Sequence, residues 1–162
     1  MAERWFLKID GIDGESTHVD HKNEIDVQSW SWGLTHPGSP GGTGGGGGAG
    51  KAVFDDFHFV NRISKASPAL FLACASGSHM KSARLTGRRD AGKAKSVAFL
   101  KVDFQNVMVS SLTQGDSEAG EPVETLALNF TKITYVVIPF AATGAPQPPV
   151  SAGWDLELNK KL

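Results

Sequence analysis

The sequence contains one cysteine and no long run of apolar residues, and each absence excludes a class of protein. Cys74 is the only cysteine among 162 residues, so an internal disulfide is impossible. The longest apolar stretch, near residues 135–142, is far shorter than the about 20 residues of a membrane-spanning helix. The first eleven residues lack the apolar region of a signal peptide. We therefore expect neither membrane insertion nor export through a signal peptide.

Formal charge is nearly balanced overall but unevenly distributed. The net charge is −1, yet residues 61–101 carry nine bases and one acid, and both flanking segments are acidic. Five of these bases could contact phosphates: Arg84, Arg88, Arg89, Lys93 and Lys95. No aromatic residue lies between Phe71 and Phe99, so the stacking groups of single-strand binders are missing and we expect no nucleic-acid partner. The bases then belong to a solvated strand and hairpin, or opposite charges steer copies of the chain together.

The composition predicts one folded domain over residues 1–162. Hydrophobic residues make up 40% of the chain and charged residues 20%, which is neither disordered nor membrane-like. Glycine is high at 19, but eight of these glycines lie between positions 41 and 50. The excess therefore belongs to one glycine-rich loop, which we place at residues 38–50.

Most of the chain alternates between apolar and polar residues, as half-buried strands do. A slip in this alternation at Gln28 predicts a β-bulge there. The predicted strands are Trp5–Ile9, Ile25–Leu34, Ala52–Val60, Ser82–Arg88, Ser96–Leu112, Glu124–Val137 and Trp154–Leu158. Many strands with little helix indicate a mainly β fold, an antiparallel barrel or sandwich.

One helix is predicted between Ser67 and Gly77. Ser67 is a suitable N-cap, Pro68 fits the first helical position and Gly77 can end the helix. An earlier start of the helix, at Ser64, is the alternative. Leu70, Ala73 and Cys74 then share one face, which we expect to pack against a sheet.

The glycine-rich loop matches nucleotide-binding motifs only superficially. Gly45, Gly50 and Lys51 fit the spacing GxxxxGK, but Ala52 stands where a P-loop needs serine or threonine. A strand pattern follows instead of the helix that would direct its amide groups at a phosphate. We therefore expect no nucleotide cofactor.

No pattern of catalytic or metal-binding residues is present in the sequence. The five histidines show no HxxxH spacing, and no CxxC is possible with one cysteine. Asp55 and Asp56 are neighbours that point to opposite faces of a strand, so they cannot act as a carboxylate pair there. No serine lies in a GxSxG motif. We expect no metal, no cofactor and no enzymatic activity.

A series of short motifs resembles the haemolysin-coregulated protein family, Hcp, of bacterial type VI secretion. The motifs are, in order, Phe6-Leu7-Lys8-Ile9, Gly14-Glu15-Ser16, Glu24-Ile25-Asp26-Val27, Trp30-Ser31-Trp32-Gly33, Lys65-Ala66-Ser67-Pro68, Gly77-Ser78-His79, Arg84 to Arg88, Leu126-Ala127-Leu128-Asn129-Phe130 with Tyr135, and Gly153-Trp154-Asp155. Their order and spacing cover nearly the whole chain, and the departures are confined to loops.

The resemblance implies a two-sheet antiparallel β-barrel with one α-helix packed against it. It further implies homohexameric rings that stack into a tube, with sheath, baseplate and spike proteins of the secretion system as partners. Family members leave the bacterial cytoplasm for the medium without a signal peptide, and carry small effectors in the ring lumen.

Two candidate sites follow from the resemblance and the strand pattern. Trp30 and Trp32 are expected in the core, so Ser29 and Ser31 point the other way, and we predict that they face the lumen. An ordinary exposed strand or a subunit contact remains the alternative for these serines. The glycine-rich loop is expected to serve stacking between rings through Gly41, Gly42, Gly44, Gly45, Gly46, Gly47 and Gly48.

A carbohydrate-binding β-sandwich module is the alternative function. Such a module would use exposed tryptophan and aspartate side chains, whereas Trp30 and Trp32 alternate with serines as core residues do. Sedimentation separates the two functions, because a lectin-like monomer has a mass near 17 kDa and a ring a much larger one.

Overall fold

A computed structural model describes residues 3–38, 50–90, 95–116, 118 and 120–162. Within them the chain forms mostly β-structure. The elements are β1 (Glu3–Ile9), β2 (Ile25–Ser31), β3 (Leu34–Thr35), β4 (Val53–Phe54), β5 (Phe57–Arg62), α1 (Ser67–Ser76), β6 (His79–Asp90), β7 (Ser96–Asp116), β8 (Pro122–Asn129), β9 (Lys132–Val137), β10 (Val150–Asp155) and β11 (Lys160–Lys161).

Six strands close into an antiparallel barrel. Their order is β7-β6-β1-β2-β5-β8, and β8 pairs back onto β7. The strands β9, β10 and β11 continue the sheet outward from β7, and β3 and β4 form a separate two-stranded ribbon. The predicted antiparallel β-barrel with one helix is therefore confirmed.

The 21-residue strand β7 belongs to two different parts of the sheet. Residues 100–105 pair with β9, whereas residues 108–116 pair with β8. Between the two halves, Asn106 has a φ of 50°, a left-handed conformation that asparagine adopts more readily than most residues. A register shift between Val109 and Ser111 marks a further irregularity just beyond it.

The barrel interior is filled by the inward-facing residues of its strands. Large side chains with no solvent exposure include Leu7, Phe57, Phe59, Leu85, Phe104, Leu126 and Leu128. The helix α1 contributes Leu70 and Ala73 to the same core, with Cys74 half-buried beside them. The predicted packing of this face is confirmed.

The C-terminal end of α1 was predicted correctly, whereas its N-cap residue was not. Gly77 adopts φ 65° and its N–H bonds to the carbonyl of Cys74, as expected of a glycine that ends a helix. Ser67 is not the N-cap, because that position belongs to Ala66 and carries no side-chain capping bond. The Ser67 hydroxyl instead accepts the N–H of Ser64, three residues earlier, at 3.0 Å.

All seven predicted strands have somewhat different bounds in the structure, and the predicted strand Ile25–Leu34 is divided into β2 and β3. The run Ala52–Val60 is interrupted because the Asp55 N–H bonds to the carbonyl of Gly33, outside the sheet. The run Glu124–Val137 is interrupted where the Thr131 N–H bonds to Gln105. The last predicted strand begins earlier and ends at Asp155, whose carboxylate accepts the Leu158 N–H at 2.9 Å and closes a turn. The bulge predicted at Gln28 is confirmed by a register shift between Val27 and Ser29.

Candidate functional site

One outward surface of the barrel carries small and weakly polar side chains across four strands. We call it the low-charge face, and it consists of two cross-strand rows. The rows are Ser31, His58, Ala127 and Ser111, and Ser29, Val60, Thr125 and Thr113.

Strand pairing fixes the order of these side chains. Ser31 on β2 lies opposite His58 on β5, which lies opposite Ala127 on β8. Residues on either side of this row, such as Phe57 and Leu128, are fully buried. Because successive side chains of a strand alternate between faces, the row points away from the core. The surface is thus a direct consequence of the core pattern.

Charged side chains lie at the ends of the low-charge face. His58 is the one titratable member of its two rows. Asp56, just before β5, accepts hydrogen bonds from the Ser110 hydroxyl at 2.5 Å and the Asn129 amide at 2.9 Å. At the other end of β5, Arg62 forms an ion pair of 2.8 Å with Glu121. Both end charges therefore already have partners within the chain.

The outward surface formed by β1, β6 and the first half of β7, on the other side of the barrel, is strongly charged. Lys8 of β1 lies opposite Arg84 of β6, and Arg84 lies opposite Asp103 of β7. The Arg84 Nε donates to the Asp103 carboxylate at 2.5 Å, and this hydrogen bond raises the pKa of Arg84. The barrel therefore presents two chemically different surfaces, and they stand on opposite sides of one core.

Both predicted lumen residues, Ser29 and Ser31, are exposed and lie together on the low-charge face. Trp30 points to the other side, where its ring centroid lies 5.1 Å from that of Trp5 and 5.5 Å from that of Phe57. Trp30 and Trp32 pack against the core but are only half-buried. The two tryptophans therefore lie at the edge of the core. Trp30 is the second-last residue of β2, and Trp32 follows the end of that strand.

The predicted stacking glycines, Gly41 to Gly48, lie outside the described residues. Beside the β3–β4 ribbon that leads to this loop is an apolar groove of about 450 Å³. Trp32, Tyr135 and Trp154 form much of its wall. Sequence reasoning missed this groove, because its residues come from separate segments that only the pairing of β9 with β10 and of β3 with β4 brings together.

Metal-binding and membrane-spanning features were also sought. In the part of the chain that the structure describes, no group of three His, Cys, Asp or Glu side chains is placed to hold a metal ion. Among those same residues, no helix is long and apolar enough to cross a membrane.

Comparison with known proteins gives consistent matches. The family described as "Type VI secretion system effector, Hcp" matches residues 6–136. Protein hcp1 of Pseudomonas aeruginosa strain PAO1 is 40% identical over 161 residues, which is 98% of each chain.

Solved structures give the same fold. A type six secretion system protein superimposes with a TM-score of 0.90 at 28% identity, over 99% of this chain and 100% of the other. Hcp1 from Salmonella typhimurium superimposes with a TM-score of 0.79 at 31% identity, over the whole of both chains.

Proposed function

The chain belongs to the Hcp family of type VI secretion proteins, and we propose that it is the structural tube component of that system, is itself exported, and carries small effectors in its lumen. Copies of this chain assemble as homohexameric rings, and the rings stack into a tube. The low-charge face lines the channel. The same protein leaves the bacterial cytoplasm with its cargo, and it acts as a structural component with no cofactor.

The observation that carries this proposal is the contrast between the two outward surfaces of the barrel. A channel that passes varied proteins needs a wall without strong charge, because a charged wall would retain cargo of opposite sign. The rows that contain Ser29 and Ser31 meet this requirement over four strands. The opposite surface, with Lys8, Arg84 and Asp103, does not.

Ring closure requires two different surface patches on each copy, so that head-to-tail contacts return to the first subunit. Stacking of rings requires a third surface, and we assign that role to the glycine-rich loop at residues 38–50. Sheath, baseplate and spike proteins of the secretion system complete the set of partners. A carbohydrate-binding sandwich is less well supported, because the six strands close into a barrel and the matching family is one of type VI secretion.

Light scattering on the eluting protein, followed by negative-stain imaging, tests the proposal. We expect a particle six times the mass of the 17.2 kDa chain and ring-shaped images with a central channel. A monomer at micromolar concentration and moderate salt would contradict the ring. A ring whose channel is lined by Arg84 and Asp103 would contradict the assignment of the wall.

A further inference from the structure

The segment between β1 and β2 covers the charged side of the barrel, and its contacts define a polar cluster. We call residues 13–24 the strap. His21 of the strap is 7% exposed, and its imidazole is stacked on the ring of Phe6 with centroids 4.4 Å apart and planes 6° from parallel. Phe6 lies on the outward side of β1, so the strap keeps this aromatic ring out of water.

The hydrogen bonds of His21 define where its proton lies. Nδ1 is 2.8 Å from a carboxylate oxygen of Glu24, which accepts. Nε2 is 3.3 Å from Nη1 of Arg88. A guanidinium can only donate hydrogen bonds, so a hydrogen bond between these two atoms requires Nε2 to accept and to carry no proton. In this arrangement the imidazole of His21 is neutral, with its single proton on Nδ1.

The second histidine of the strap is held in the same charge state. Nδ1 of His18 accepts the backbone N–H of Asp20 at 3.2 Å, so this nitrogen also carries no proton. Nε2 of His18 lies 3.4 Å from the hydroxyl oxygen of Ser96, at the start of β7. The two imidazole centroids are 5.3 Å apart. Both rings are therefore neutral when all these bonds are present.

Arg88 joins the strap to the hairpin formed by β6 and β7. Its guanidinium donates to the carbonyl of Ser96 at 2.7 Å and to the Ser96 hydroxyl at 3.1 Å. It also lies 3.3 Å from the carboxylate of Asp20 and from His21. The side chain of Arg88 is only 14% exposed. Positive charge added to either histidine is thus placed beside a cation that is poorly screened by solvent.

Charges of both signs lie near the two histidines, and at His18 their combined effect is to lower the pKa. Around His18, the charges of Arg88, His21 and Arg4 oppose protonation and that of Asp20 favours it. The Glu24 carboxylate lies 2.8 Å from Nδ1 of His21. Burial, followed by Arg88, lowers the pKa of His18 below its ordinary value of 6.5. The fold therefore favours neutral His18, and this stabilisation is complete above pH 6.5 and is lost as the pH falls below it.

We propose that the strap is an acid-sensitive latch, in which protonation of His18 and His21 releases residues 13–24 from Arg88 and Ser96 while the barrel stays folded. On protonation, Nε2 of His21 presents an N–H to the N–H groups of Arg88, and Nδ1 of His18 loses the Asp20 amide. Release uncovers Phe6 and frees the β6–β7 hairpin. The proposal concerns one subunit and does not rest on ring formation.

Hydrogen exchange measured by mass spectrometry at pH 7.5 and pH 5.5, corrected for intrinsic exchange rates, tests the latch. Protection of the strap should be lower at pH 5.5 than at pH 7.5, because uptake of one proton by His18 in the released strap shifts the opening equilibrium by up to about tenfold per pH unit below the ordinary pKa of 6.5. The strands β5 and β8 should keep their protection. Equal strap protection at the two pH values, or a matching loss in the barrel, would overturn the latch.

Two variants distinguish a latch from a merely structural strap. The double variant His18→Asn, His21→Gln keeps an acceptor facing Asp20 and Arg88 but cannot be protonated, so its strap protection should not depend on pH. In Arg88→Met the cation beside both histidines is gone, whereas the bond from the Asp20 amide to His18 remains, so the loss of protection in acid should be smaller than in the unmodified protein. His79→Gln, outside the cluster, should respond as the unmodified protein does. A pH response that persists in the double variant, or one that is undiminished in Arg88→Met, would refute the proposal.

Discussion

Gly87 of β6 lies opposite Trp5 of β1, and the indole ring occupies the space where a side chain at position 87 would be. A Cβ atom there would lie 2.8 Å from Cε3 and Cη2 of the indole ring, closer than such contacts occur in folded proteins. Trp5 in turn has Trp30 and Phe99 against it, at centroid distances of 5.1 and 5.4 Å. The ring therefore has little freedom to move away.

The substitution Gly87→Ala should destabilise the fold by about 1–3 kcal/mol, the usual cost of overpacking a filled site. Thermal unfolding measures the effect, which should be about 2–4 °C for each kcal/mol in a chain of this size. Gly115→Ala is the matched control in a strand, because a Cβ at position 115 meets nothing within 4 Å. Equal melting temperatures for the two variants would show that the Trp5 ring can move to make room for a Cβ atom at position 87.

Trp30→Ala should lower the free energy of unfolding by about 3 kcal/mol, the low end of the range for tryptophan truncation. The side chain is half-buried, so less apolar surface is lost than at a closed core position. Its edge contact with Trp5 and its stack on Phe57 are both removed. Denaturant unfolding checks the value, and Trp30→Phe should recover much of the loss. An unchanged midpoint for Trp30→Ala would mean that this strand edge does not support the core.

Ser31→Gln should leave the ring intact and weaken retention of a small effector. In the proposed ring, six longer side chains project into the channel from the low-charge face. Co-purification of a co-expressed effector with the ring measures retention. Ser82→Gln, at an exposed position of β6 on the charged side, is the control and should retain the effector as before. Unchanged retention in Ser31→Gln would place Ser31 outside the channel.

Deletion of Gly44–Gly48 should leave rings and impair tubes. A run of residues without side chains can adapt to a surface of another ring but cannot supply a packed interface between subunits. Electron microscopy distinguishes single rings from stacks, and light scattering reports the mass of the ring. Recovery of monomers from this variant would assign the loop to ring closure instead.

Local sequence signals predicted α1 and the bulge almost to the residue. Pro68 and Gly77 act through their own backbone preferences, so no distant contact is needed to place the helix. The slip in alternation at Gln28 is likewise visible within a few residues. The serines of β2 could be assigned to the outward side for the same reason.

Features that depend on distant pairing could not be predicted. The breaks before Phe57 and after Asn129 arise from backbone bonds to Gly33 and Gln105, which lie far away in sequence. The two rows of the low-charge face require the registers of four strands at once. The strap cluster joins His21 to Arg88, 67 residues later, and the sequence contains no motif that links them.

Strand β7 pairs with β6, β8 and β9, so the register of this one strand determines which side chains are buried along all three pairings. A slip of one residue along β7 would exchange buried and exposed side chains against β6, β8 and β9 together. Errors in its placement therefore cannot remain local, and a misregistered chain would lose most of its core at once. The left-handed backbone at Asn106 fixes where one half ends and the other begins. The correct register of β7 therefore depends on the backbone conformation at one residue, Asn106.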